Sequence, residues 1–136
     1  MRVILDSNVL FSALISPHSP PHGVFQAWRQ GLFDLVTCKE QIEEIHRASR
    51  YQKFKAILQP HEVGLMLNNM KRALVIENLP SGYEADDPND AFLLSLAVAS
   101  KAHYLVTGDK KAGLLALTTI GQTQIVTASE FCSKVL

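Results

Sequence analysis

A chain of 136 residues is long enough to bury a core without disulfides or a structural metal, and it has the usual size of one domain, taken as residues 1–136. Hydrophobic residues make up 47% and charged residues 19%, proportions that exclude extensive disorder. Thirteen basic and thirteen acidic residues cancel, so net charge gives no support to nucleic-acid binding and the distribution along the chain carries the information instead.

The amino terminus reaches Asp6 after only three apolar residues, Val3 to Leu5, which is unlike a signal peptide. No run approaches the roughly 20 apolar residues of a membrane span. Cys38 and Cys132 stand far apart with no Cys-x-x-Cys pairing, which suits a reducing compartment, so a cytoplasmic protein with no membrane association is expected.

In chain order, Arg2 to Leu5 predicts a short apolar strand and Val9 to Ile15 a helix ended by Ser16-Pro17. The proline-rich stretch Pro17 to Pro21 predicts a loop. Val24 to Gln30 reads as a helix closed by Gly31, and Leu32 to Thr37 as a second strand. Thr37 and Glu40 have capping-box spacing, which opens a helix from Cys38 to about Arg50. His61 to Met70, after Pro60, predicts a further helix that tolerates Gly64, and Ala73 to Ile76 a third strand.

An acidic loop, Glu77 to Asp87, leads into Asp87-Pro88-Asn89-Asp90, a helix start with Asp87 as cap and Pro88 in the first turn. From Ala91 to Ser100 no residue is charged and apolar side chains fall on every face, which predicts a buried helix. Tyr104 to Val106 reads as a fourth strand, Lys110 to Leu117 as a helix and Gln124 to Val126 as a fifth strand. Thr127 and Glu130 repeat the capping-box spacing before a last helix to about Val135. Strands alternating with helices predict an α/β domain of three layers, α/β/α, around a five-stranded parallel sheet.

In open parallel sheets, ligands bind beyond the carboxyl ends of the strands where strand order reverses. Asp6 follows the first strand directly, and Asp109 follows the fourth through Thr107 and Gly108. If strands one and four are neighbours at that reversal, both carboxylates share one crevice. Asp90, in the first turn of the buried helix, can reach the same end, although an acid there also stabilises a helix terminus by roughly 0.3 to 1 kcal/mol. In the helix after the second strand, Cys38, Ile42, Ile45 and Ser49 mark an inner face. Glu44 lies only slightly nearer to it than Glu43, so periodicity leaves that choice open.

Converging carboxylates repel one another unless a cation neutralises them, and hard oxygen ligands select Mg2+ or Mn2+ over zinc. Such ions hold a phosphodiester, activate a water molecule and stabilise the departing oxygen; paired ions sit about 3.5 to 4 Å apart. The chemistry expected is phosphodiester hydrolysis without a protein nucleophile.

The motifs Val3-Ile4-Leu5-Asp6-Ser7-Asn8-Val9-Leu10, Ile42-Glu43-Glu44-Ile45, Asp87-Pro88-Asn89-Asp90 with Leu94 and Ala97, Leu105-Val106-Thr107-Gly108-Asp109, and the closing Ile125 to Phe131 occur in a telling order and spacing. On these the chain resembles a PIN domain, close to VapC-like toxins of toxin-antitoxin systems, over its full length. The resemblance implies a Mg2+- or Mn2+-dependent endoribonuclease whose metal ligands are Asp6, Glu44, Asp90 and Asp109, an RNA substrate, an antitoxin partner and a homodimer. It is the resemblance that selects Glu44 over Glu43. It also implies that Asn8 and Thr107 support the site through hydrogen bonds, against local readings of Asn8 as a helix cap and Thr107 as a strand residue. Ala91 and Lys111 stand where many relatives carry acids, so one firmly held metal is expected, with a second requiring RNA phosphate as ligand. Gln52 replaces a common proline away from the chemistry.

Charge is separated along the chain. Residues 29 to 72 hold eight Lys or Arg against five acids, whereas residues 77 to 90 hold five acids and no base. Arg47, Arg50, Lys53 and Lys55, just beyond Glu44, are candidates to guide an RNA backbone, or simply a solvated helical face. The five histidines form no His-x-x-x-His pair on one helix, and Phe25, Trp28 and Phe33 are spaced for core or dimer packing rather than for stacking on RNA. Two alternatives remain at this level. One is a haloacid-dehalogenase-type phosphatase, which needs Asp-x-Asp where this chain has Asn8 at the second position. The other is a catalytically silent module that keeps the fold for dimerisation or RNA capture.

Overall fold

Short runs of Val, Ile and Leu with no polar alternation build strands that are covered on both faces, as a parallel sheet requires. The computed structural model describes residues 1–80, 82, 88–108 and 114–136, with backbone alone at Lys53, Pro88, Asn89 and Asp90. The strands are β1 (Arg2–Leu5), β2 (Asp34–Cys38), β3 (Leu74–Ile76), β4 (Tyr104–Val106), β5 (Thr119–Ile120) and β6 (Thr123–Val126). Their order across the sheet is β3-β2-β1-β4-β6-β5, and every pairing is parallel except that of β5 with β6.

The five parallel strands are those expected from the sequence; β5 is an addition. It forms a hairpin with β6 in which Ile120 pairs with Thr123 around a two-residue loop. Gly121 takes a φ of 56° there, a left-handed conformation that a glycine adopts without steric cost and that such tight hairpins need. A strand of two residues is too short to show alternation.

Eight helical segments are described: α1 (Ser7–Ile15), α2 (Pro20–Arg29), α3 (Lys39–Ala48), α4 (Gln52–Lys55), α5 (Pro60–Lys71), α6 (Pro88–Ser100), α7 (Leu114–Leu117) and α8 (Ala128–Lys134). Helix α2 begins at Pro20, four residues before the sequence suggested, so the loop expected through Pro21 is shorter. The Ser19 hydroxyl accepts from the His22 N–H at 3.3 Å, and the two prolines fill the first helical positions, where a missing N–H costs nothing. The four-residue α4 was not foreseen, since one turn leaves no periodicity to read. Of the helix expected from Lys110, Leu114–Leu117 is described, and its earlier part lies outside the described residues, as does the expected Asp87 cap.

The two capping boxes fare differently. Thr127 forms one: its hydroxyl accepts from Glu130 N–H at 3.0 Å, and the Glu130 carboxylate accepts from Thr127 N–H at 3.4 Å. Thr37 does not, because Cys38 occupies the N-cap of α3 without any side-chain cap bond and Thr37 is turned into the core.

Successive strand residues face opposite sides, so Val3 and Leu5 enter one core and Ile4 the other. The first core packs Leu10, Phe25, Ile45, Met66 and Phe131 from α1, α2, α3, α5 and α8. The second packs Leu93, Leu96 and Leu114 from α6 and α7. Each such side chain, buried fully, contributes about 1.5–3 kcal/mol, and together they fix the three layers that the alternation predicted. Among the described residues no helix is long and apolar enough to cross a membrane.

Candidate functional site

Strand β1 lies between β2 and β4, with Leu5 opposite Val106, so the order of connection reverses between β1 and β4. The first condition set by the sequence is therefore met. Backbone pairing continues one residue past both strands: Asp6 N–H donates to Val106 O at 2.9 Å, and Thr107 N–H to Val126 O at 3.0 Å. Asp6 and Thr107 are thereby brought side by side at the carboxyl end of the sheet, where such folds bind ligands.

Asp6 is almost fully buried, at 6% exposure. Its Oδ2 accepts from the Thr107 hydroxyl at 2.8 Å, and its Oδ1 accepts from Asn8 N–H at 3.2 Å. Asp6 is also the N-cap of α1, and its carbonyl accepts from the N–H groups of Val9 and Leu10. The carboxylate that caps α1 is thus the one buried at the carboxyl end of the sheet. The local reading of Asn8 as the cap is overturned: Asn8 contributes its N–H to Asp6 and exposes its side chain.

Glu43 and Glu44, which periodicity left undivided, have different surroundings. Glu43 is exposed and pairs with Lys39 at 3.8 Å one turn back. Glu44 is half-buried and accepts a hydrogen bond from the hydroxyl of Ser7, the residue next to Asp6. Behind Ser7 lies Gln41, with no exposed surface. Its Nε2 donates to Leu5 O at 2.6 Å and to Ser7 Oγ at 3.5 Å, and its Oε1 accepts from the Thr37 hydroxyl at 2.6 Å. The ends of β1 and β2 are therefore tied through Gln41 to the residue that holds Glu44.

Ser7 and Gln41 escaped the sequence reading. The available signal was Gln41 itself, a polar residue four positions before the apolar Ile45 on the inward stripe of α3, since polar groups buried on such a stripe are normally bonded.

Of the other expected acids, Asp90 has its backbone in the first turn of α6, while its side chain and all of Asp109 lie outside the described residues. Among the described residues no group of three or more His, Cys, Asp or Glu is arranged to hold a metal ion. The two carboxylates present, Asp6 and Glu44, are oxygen donors of the kind that hard divalent cations take. Burial pushes the Cys38 thiol up to about 12, so it stays protonated at neutral pH and is a poor metal ligand. Of the histidines, His22 Nδ1 meets Ala13 O at 3.2 Å and His103 Nδ1 accepts from Arg2 N–H at 3.1 Å.

Arg47 and Arg50 are exposed beyond Glu44, with Arg50 Nη2 3.2 Å from His46 Nε2, and the Lys53 side chain lies outside the described residues. Phe25 meets Trp28 edge-on at 5.6 Å and Phe33 meets Phe131 at 5.7 Å, which is aromatic packing of the core.

A doubly wound α/β domain with a buried carboxylate at its switch point is the class defined by this fold and site. The chain belongs to the PIN domain family, whose model matches residues 2–111. Membership sets aside the phosphatase reading of the acid after β1. Among solved structures the chain is similar to VapBC2 from Rickettsia felis, seen bound to a DNA fragment from their promoter; identity is 16% over 93% of this chain and 98% of that one, with a TM-score of 0.56. Likeness at that identity is one of fold. Among curated proteins none matches.

Proposed function

We propose that this PIN domain is a Mg2+- or Mn2+-dependent endoribonuclease and the toxin of a toxin-antitoxin pair. The observation that carries the reading is the Asp6 carboxylate, buried at the β1–β4 switch point and oriented by Thr107. Burying a carboxylate is costly unless hydrogen bonds or a cation compensate, and Glu44, tied to the adjacent Ser7, adds a second acid to the same neighbourhood. Asp6 and Glu44, with Asp90 and Asp109, are the residues that would hold the ion. A bound divalent ion supplies positive charge for the phosphodiester and lowers the pKa of water.

The chain's own contribution is orientation. Thr107 and the Asn8 N–H hold the two oxygens of Asp6, and the Gln41 network holds Ser7, which in turn holds Glu44. Arg47, Arg50 and Lys53 are the proposed guides for the RNA backbone. The solved neighbour is a VapBC assembly, which supports an antitoxin partner; a homodimer in the cytoplasm completes the reading.

The test is cleavage of single-stranded and structured RNA with and without divalent metal, comparing wild type with Asp6→Asn and Asp90→Asn. Metal-dependent cleavage by the wild type alone is expected. Equal cleavage by all three proteins would overturn the mechanism, and no cleavage by any would favour a silent module.

A further inference from the structure

At the end of the sheet opposite Asp6, the first residues of β1, β2 and β3 open onto a cavity of about 670 Å3. Arg2, Arg29 and Arg72 line it, with Trp28, Asn69 and Asp34. Arg29 and Arg72 are the two ends of the basic run in the sequence, brought together here because Arg29 closes α2 and Arg72 closes α5. Cations at helix carboxyl ends complement the dipole, which explains single arginines but not three around one concavity.

None of the three guanidiniums lies within 4.0 Å of a carboxylate among the described residues, where the ion pairs are Lys39–Glu43 and Lys134–Glu130. Asp34 is one acid against three bases, so the cavity keeps an excess of positive charge. Arg29 and Arg72 are exposed, and Arg2 and Trp28 half-buried, so all four can meet a ligand from solvent. Guanidinium forks match phosphate oxygens in pairs, and an indole offers the flat apolar surface on which a base stacks.

We propose that this cavity is a nucleotide site, in which Arg2, Arg29 and Arg72 hold a phosphate and Trp28 takes the base. The phosphate belongs either to a free nucleotide or to one nucleotide of an RNA strand. Only the second source rests on the ribonuclease reading. The site stands apart from the carboxylate crevice, at the other end of the strands.

Trp28 is the single tryptophan of the chain, so its emission reads occupancy of this cavity directly. The experiment titrates the full chain, in EDTA and at low salt, with adenosine monophosphate, a single-stranded oligoribonucleotide and an acidic peptide. Nucleotide or oligonucleotide should change Trp28 emission, with affinity falling by about tenfold or more in Arg29→Gln/Arg72→Gln, whose substitutions are at exposed positions, and in Arg2→Gln. Tighter binding of the oligonucleotide assigns the strand as source, and tighter binding of the mononucleotide assigns the free ligand. Asp6→Asn should keep the response while losing cleavage, which separates failure of this site from failure of the nuclease reading. No response to either nucleotide ligand, an undiminished response in the arginine variants, or tighter binding of the acidic peptide would overturn the proposal.

Discussion

The Thr107 hydroxyl donates to Asp6 Oδ2 at 2.8 Å across 101 positions of sequence, and both groups are buried. That bond joins the ends of β1 and β4 at the switch point. Thr107→Val keeps the shape and removes the donor, so it should cost about 1–3 kcal/mol in urea unfolding. Cleavage should fall by about tenfold or more, as when a carboxylate loses its supporting partner, whereas Thr107→Ser should retain most of it. Full activity in Thr107→Val would show that Asp6 needs no such orientation.

The separation of Glu43 from Glu44 gives a paired test. Glu43→Gln breaks only an exposed ion pair and should leave stability within about 0.5 kcal/mol, with cleavage unchanged. Glu44→Gln should abolish metal-dependent cleavage and weaken Mn2+ binding measured by calorimetry. The reverse pattern would assign the site to Glu43.

Gln41→Leu fills the same space and removes the side-chain amide that bonds Leu5 O and the Thr37 hydroxyl. The cost expected is about 1–3 kcal/mol for each buried group left unpaired. Urea unfolding should show a lower midpoint with an unchanged slope, since the surface exposed on unfolding is the same. An unshifted midpoint would mean that water replaces the amide.

Acid should act on the last helix through Glu130. The Thr127 hydroxyl, then the Thr127 N–H, then Lys134 hold its carboxyl below the ordinary range. A carboxyl whose folded pKa is depressed contributes stability above its unfolded pKa, about 4.3, and loses it as pH falls through the folded value. Wild type should therefore have a higher thermal midpoint than Glu130→Gln at neutral pH, with the gap closing in acid. A gap independent of pH would remove Glu130 from the account.

Much of the scaffold was legible because its signals are local. The five parallel strands are short apolar runs, and the Thr127–Glu130 box lies within one helical turn. Signals that failed were local too, but had competitors. Thr37 has capping-box spacing, yet Gln41, four positions on, offers its hydroxyl a buried partner at 2.6 Å, and that bond wins. Helix α2 starts early because Ser19 can cap it and two prolines can follow, a combination that also describes a loop. In the site, Asp6 was legible from its place after the first strand. Ser7 was not, since a serine in a helix start has no distinctive spacing, and Gln41 showed only as a polar residue on the inward stripe of α3, which does not name its partners.

What the sequence determined by itself is the alternation of strands and helices, and with it an acid at the end of the first strand. These depend on side-chain period and chain connection, which no folding event can alter. Only the tertiary structure decided that β1 and β4 are neighbours, that Thr107 meets Asp6, that Glu44 and not Glu43 turns toward Ser7, and that Arg2, Arg29 and Arg72 share a cavity. Those relations join residues tens of positions apart. They are fixed by the burial of two apolar cores on a twisted sheet, a cooperative outcome that no local pattern encodes.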